Sequence, residues 1–125
     1  MITRLEEPSQ LMRYSRNMVY KIEISAQAEK DLDSIMDYIT RNFMSEEAAI
    51  NTMQNIQISV NGLSDFPEIG IDVSDRLGRT IDDEKVRMSI AGSYLVFYLI
   101  VGNDVVFLRV LYQKQNWIEI LKKAE

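Results

Sequence analysis

The stretch "YLVFYLIVGNDVVFLRVLY", Tyr94 to Tyr112, reads as two strands joined by a tight turn. "YLVFYLIV" is a continuous run of β-formers, the pattern of a central strand buried on both faces. "GND", Gly102–Asp104, supplies the residues of a hairpin turn, so "VVFLRVLY" pairs back antiparallel. Regular alternation along that second strand puts Arg109 and Tyr112 on opposite faces. The two can share one site only if the strand bends or ends near Leu111. Beyond it lies a cluster that no core requires: Gln113, Lys114, Gln115 and Asn116.

Outward from this hairpin the pattern stays legible. "KVRMSI" alternates, with Val86, Met88 and Ile90 expected on the buried face and Lys85, Arg87 and Ser89 on the other. "NWIEILKK" predicts a short last helix with a capping box from Asn116 to Glu119 and lysines at the end the helix dipole favours for cations. Before "KVRMSI", Glu68–Asp83 is rich in glycine and aspartate with little periodicity, and reads as a long mobile loop. Upstream, Ala28, Leu32, Ile35, Met36, Ile39 and Phe43 recur at helical spacing behind an N-cap at Ser25. A second helix follows Ser45, with Glu46 and Glu47 in its first turn and Ala49, Met53, Ile56, Val60 and Leu63 inward; Gly62 or "DFP" stops it. Helices joined by so short a link form an antiparallel hairpin. "MVYKIEIS" alternates as a half-buried first strand.

The resulting order is β-α-α-β-β-β-α. It predicts an α+β domain: an N-terminal strand, a helical hairpin packed on a small, mainly antiparallel sheet, and a short C-terminal helix. Residues 18–125 form the expected domain. Residues 1–17 read as an extension, poorly ordered or upstream of an alternative start at Met18, with a short helix around Gln10–Arg16.

Composition narrows the chemistry. With 125 residues the chain is one domain of modest core. No apolar run approaches the ~20 residues needed to cross a bilayer, and no signal-peptide pattern is seen, so a cytoplasmic protein is expected. There is no cysteine, hence no disulfide or thiolate site, and no histidine, which removes Ser-His-Asp and Cys-His catalysis and the usual neutral-pH base. Net charge is −5, against a nucleic-acid binder, but unevenly spread. Met18–Asp83 holds five cations against thirteen acids, and Glu84–Glu125 six against four. That asymmetry hints at an anionic partner for the second half.

"AEKDLDSIMDYI", the alanine-bearing second helix, "LSDFPEIG", "VRMSIAGSYLVFYLI" and "VVFLRVLYQKQNW", in this order, resemble the RelE/ParE family of bacterial type II toxins. The resemblance runs from about Met18 to Leu121 and implies a compact sheet carrying an N-terminal helical hairpin. It also implies a cytoplasmic growth inhibitor neutralised by a cognate antitoxin, with oligomers formed through that antitoxin and no membrane association. The target implied is DNA gyrase for ParE-like members, or the ribosome and its mRNA for RelE-like ones. The acidic helices and the long hairpin lean towards the ParE-like side; a degenerate member that only binds antitoxin is a third reading.

For a ribonuclease, the resemblance puts catalytic roles on Tyr112, Arg87 and Lys114 and phosphate binding on Arg109 and Lys85, with no metal and no cofactor. Attack by a 2′-hydroxyl needs a base, an acid and cations around the phosphorane, and arginine suits the last of these. Each residue also has a plainer reading: Arg87 as strand surface, Arg109 as an arginine paired to a carboxylate, Tyr112 as a core aromatic, Lys114 as a turn cation. Trp117 reads as an anchor for the last helix.

Overall fold

The computed structural model describes residues 20–43 and 45–123; the extension expected over residues 1–17 lies outside them. Five strands form one sheet in the order β1-β5-β4-β3-β2: β1 Lys21–Ile24, β2 Ile71–Asp72, β3 Arg87–Ala91, β4 Tyr94–Val101 and β5 Asp104–Tyr112. Four α-helices are described: α1 Ala26–Phe43, α2 Glu46–Asp65, α3 Ser74–Leu77 and α4 Trp117–Lys122. The pairing is antiparallel except for β1, which runs parallel to β5.

Local chemistry sets these boundaries. The Ala28 amide donates to Ser25 Oγ at 3.0 Å at the head of α1, and the Ala48 amide donates to Ser45 Oγ at 3.1 Å at the head of α2. These caps satisfy amides that would otherwise be orphaned at each helix start. Asp65 ends α2, and Pro67 opens a short 3-10 turn to Ile69. The Glu119 amide donates to Asn116 Oδ1 at the start of α4.

The sheet has a core on each face. α1 and α2 cover one face, where Ile35, Ile39, Ile56 and Leu63 meet Val96, Tyr98, Val105 and Phe107. On the other face Phe97, Leu95, Leu99 and Leu111 meet Val73, Leu77, Ile81, Trp117 and Leu121. All six residues from Tyr94 to Leu99 are buried, as the continuous apolar run of β4 demands. Trp117 lies 5.2 Å from the Phe97 ring, and the Arg76 guanidinium stacks over it at 4.8 Å. The indole does anchor α4.

Two expectations are corrected. Glu68–Asp83 is no open loop: it contributes part of the 3-10 turn, β2 and α3, and it buries Val73, Leu77 and Ile81 as the cover of the second core. Those three apolar residues recur every four positions, a helical signal masked by the surrounding glycines and aspartates. Ile90 is 59% exposed rather than buried. Its neighbour β2 pairs only with Arg87 and Met88, so the covering segment stops before it reaches Ile90.

Candidate functional site

Strand β5 carries the irregularity on which the site depends. Phe97 pairs with Arg109 but Tyr98 pairs with Phe107, so Leu108 is an extra residue: a β-bulge. The bulge reverses the alternation. Val105 and Phe107 face the helical hairpin; past the bulge Val110 faces it too, whereas Leu111 faces the opposite core. Tyr112 is thereby turned to the hairpin side, its ring 5.7 Å from that of Tyr94. Arg109 still alternates with Tyr112, yet both line one cavity, because β1 pairing ends at Phe107 and the Arg109 side chain is drawn to Asp31 on α1.

The bulge is held from α1. Strand β1 ends opposite Phe107, so the outward groups of β5 lose their strand partner there. Ser25 Oγ donates to the Leu108 carbonyl at 3.1 Å, and Asp31 Oδ2 accepts from the Val110 amide at 2.8 Å. Asp31 also takes a bidentate pair from Arg109, Nε to Oδ2 at 2.8 Å and Nη2 to Oδ1 at 3.0 Å. The two side chains are 9% and 21% exposed. Such fork-to-fork pairing fixes a guanidinium firmly. The plainer reading of Arg109, a paired structural arginine, is therefore the one its geometry follows.

The cavity measures about 720 Å³ and lies between the hairpin and the end of β5. Ile35, Ile39 and Val110 give it an apolar floor; Tyr38, Tyr94 and Tyr112 supply aromatic walls. Tyr38 and Tyr112 are 56% and 40% exposed, so the walls open to solvent. Burial holds the Tyr94 phenol above its usual pKa, with Tyr112 and Tyr38 adding to the effect. The Tyr112 amide donates to Gln115 Oε1 at 3.1 Å, which folds the turn after β5 back on its end. Lys114 is exposed on that turn.

Arg87 and Lys85 lie elsewhere. Arg87 pairs with Tyr98 and Tyr112 with Tyr94, four residues apart on the intervening strand. That separation is roughly 13 Å along the sheet and ~10 Å across it. Arg87 Nη1 donates to the carbonyls of Glu68 and Gly70 at 3.3 and 3.2 Å. Beside it the Tyr98 hydroxyl donates to the Pro67 carbonyl at 2.6 Å and accepts from the Gly70 amide at 3.0 Å. Burial raises the Tyr98 pKa against the lowering pull of that amide and of Arg87. Lys85 is exposed, 4.0 Å from the Asp72 carboxylate. The fold thus gathers Tyr112 and Arg109 around one cavity, with Lys114 on the adjoining turn, and keeps Arg87 and Lys85 apart from them. No group of three or more potential metal ligands occurs among the described residues, and no helix there is long and apolar enough to cross a membrane.

Residues 22–117 match the sequence model of the family described as ParE toxin of type II toxin-antitoxin system, parDE. The chain belongs to the ParE toxin family. Among solved structures the toxin is similar to a chain titled "Chromosomal ParDE TA system from P. aeruginosa", with a TM-score of 0.61 at 18% identity. That likeness covers 77% of this chain and 98% of the other, and at such identity it speaks for the fold. No curated protein matches the toxin.

Asp31 and Tyr38 carry much of this ParE-family cavity and were not singled out by sequence reasoning, which also gave Tyr94 to the core. Asp31 did leave a signal. It falls on the apolar stripe between Ala28 and Ile35, where a carboxylate needs a buried partner.

Proposed function

We propose that this chain is a growth-inhibiting toxin, neutralised by a cognate antitoxin, that acts by binding DNA gyrase and not by cutting RNA. Membership of the ParE toxin family supports the first part. The second rests on one observation, the bidentate Arg109–Asp31 pair. Metal-free RNA cleavage needs an acid, a base and uncompensated cations converging on one phosphate. Here the cation nearest Tyr112 along β5 already has its carboxylate, and Arg87 is engaged with the Glu68 and Gly70 carbonyls, four residues along β4 from the Tyr94–Tyr112 pair. A net charge of −5 adds to the case, because cations supply most of the affinity for a nucleic-acid backbone.

Inducing the protein in cells while following the SOS response and mRNA 5′ ends tests the proposal. Strong SOS induction without codon-phased ends is expected, with Tyr112→Phe and Arg87→Ala retaining toxicity. Codon-phased cleavage without SOS induction would reverse the assignment in favour of a ribosome-dependent ribonuclease. Absence of any growth defect would leave only an antitoxin-binding role.

A further inference from the structure

Residues 48–64, most of α2, contain no charged side chain, in a chain that is 26% charged. Its neighbour α1 is studded with Glu29, Lys30, Asp31, Asp33, Asp37 and Arg41. A second uncharged run, residues 88–103, contains β4, whose burial explains it. Burial explains only one side of α2. Ala49, Ile56 and Leu63 enter the core, whereas Gln54, Gln57 and Asn61 are exposed, with Ile50 at 45% and Ile58 at 69%. At helical spacing these five residues share the side opposite Ile56. Phe66, 70% exposed, follows just past the helix end. A helix face left to solvent ordinarily carries charge. Exposed apolar groups without charge make up the centre of an interface.

The groups on this face select the partner. No charge on it answers an acidic or a basic surface. An amide carries both a donor and an acceptor, so glutamine and asparagine can pair with their own copies across a two-fold axis, and isoleucine packs on isoleucine. A carboxylate or an ammonium in the same place would meet its own charge. Gln57 Nε2 donates to Asn61 Oδ1 at 3.0 Å, which leaves the Gln57 carbonyl oxygen and the Asn61 amino group as one acceptor and one donor for a partner. A second copy brings a net charge of −5, which opposes contact through the charged α1 but not through this neutral face. Glu46, Glu47 and Asp65 bracket the uncharged run. Two copies of α2 lying side by side would bring those acids together; crossing at about 50° keeps the ends apart.

We propose that two copies of this chain pair through α2, the helices crossing on a two-fold axis near Gln54–Ile58. The inference goes beyond the toxin–antitoxin reading above and does not depend on it. Ile58 packs against its counterpart at the centre, and the amides of Gln54, Gln57 and Asn61 exchange hydrogen bonds around it.

Sedimentation equilibrium of the purified full chain, from ~1 to ~100 μM, tests the pairing by mass action. The mass should rise from near 14.5 kDa towards twice that value. Ile58→Glu and Ile58→Lys each set one sign of charge against itself. Each should weaken self-association by about tenfold or more, with an unchanged circular dichroism spectrum because the position is exposed. Mixed in equal amounts, the two variants should pair again. Ser34→Glu, an exposed position on α1, adds the same charge away from the contact and should dimerise as the parent does. A parent that stays at 14.5 kDa throughout, parental association in both Ile58 variants, a mixture that remains monomeric, or equal loss in Ser34→Glu would each overturn the proposal. A monomeric parent whose binding to gyrase is abolished by Ile58→Glu would overturn it too, and would give this face to the target.

Discussion

Asp31 accepts three hydrogen bonds, two from a guanidinium and one from a backbone amide. Asp31→Ala would leave Arg109 without a counter-charge at 21% exposure and would orphan the Val110 amide. Breaking one side of a largely buried pair costs about 3–5 kcal/mol, measurable as a fall in urea midpoint. Adding Arg109→Met should recover part of the loss, because the stranded charge is then gone too. Tyr98 and Gly70 form a second close contact, with no room for an added atom at Gly70. A Cβ on Gly70 would sit 2.8 Å from Tyr98 Cζ and collide with its hydroxyl. Gly70→Ala should therefore cost about 1–3 kcal/mol, as overpacking in a tight interior does. The same phenol makes the fold sensitive to alkali. Its folded pKa is raised by burial, so the folded state holds the proton more tightly than the unfolded state. The associated stability is complete below pH ~10, the unfolded value, and is lost as pH rises through the folded value. Tyr98→Phe should flatten that alkaline decline in a series of thermal melts, although Tyr94, raised in the same direction, will keep part of it. At the acid end Asp72, lowered by the Ser74 amide it accepts from, behaves oppositely and loses its contribution as pH falls below the ordinary carboxylate range.

At the scale of elements, the turn at Ile81–Glu84 is the clearest departure from ideal chemistry. Ile81 and Glu84 exchange backbone hydrogen bonds, and the two residues between them, Asp82 and Asp83, have φ of 54° and 63°. This is the arrangement for which Asn-Gly is the favoured sequence. Asp82→Asn with Asp83→Gly should raise stability by about 0.5–1 kcal/mol, read from the thermal midpoint. The turn also illustrates what a sequence conceals. Strands β3, β4 and β5, the hairpin α1–α2 and the capped α4 were all legible, because each has a sustained period or a cap with a side-chain oxygen in place. Glu68–Asp83 was not, because its order comes from Val73, Leu77 and Ile81 settling on a core built by distant strands. The bulge at Leu108 was not legible either. Nothing in "VVFLRVLY" marks the extra residue, and the groups that satisfy it, on Ser25 and Asp31, stand far upstream. Arg109 and Tyr112 alternate regularly past the bulge, as the sequence implies; the cavity they share had to await the fold, because Asp31 draws Arg109 to it.

For the molecule as a whole, the sheet separates two cores that depend on each other through β4. Tyr98 and Val96 belong to one face, Phe97 and Leu99 to the other. Phe97 is fully buried, and Phe97→Ala should cost about 3–5 kcal/mol despite touching the face opposite the hairpin. Loss of that core should unfold the other with it. Far-UV circular dichroism reports mainly the long helices on one face, and Trp117 fluorescence reports the other. Coincident transitions by the two probes are expected for a cooperative domain of this size; a fluorescence change well ahead of the helical signal would mean that the covering segment melts by itself.

The parallel pairing of β1 with β5 joins Lys21 to Asp104, the first described strand to the last. During synthesis β1 has no strand neighbour until β5, beginning at Asp104, has left the ribosome. The sheet is closed by its final strand, and contacts of such long sequence separation are slow to form. A nascent chain arrested before Asp104 should be cut readily by protease, whereas one released at full length should resist. A toxin assembled in this order is complete only once β5 has been made, long after β1, and a partner already present can meet it at that moment.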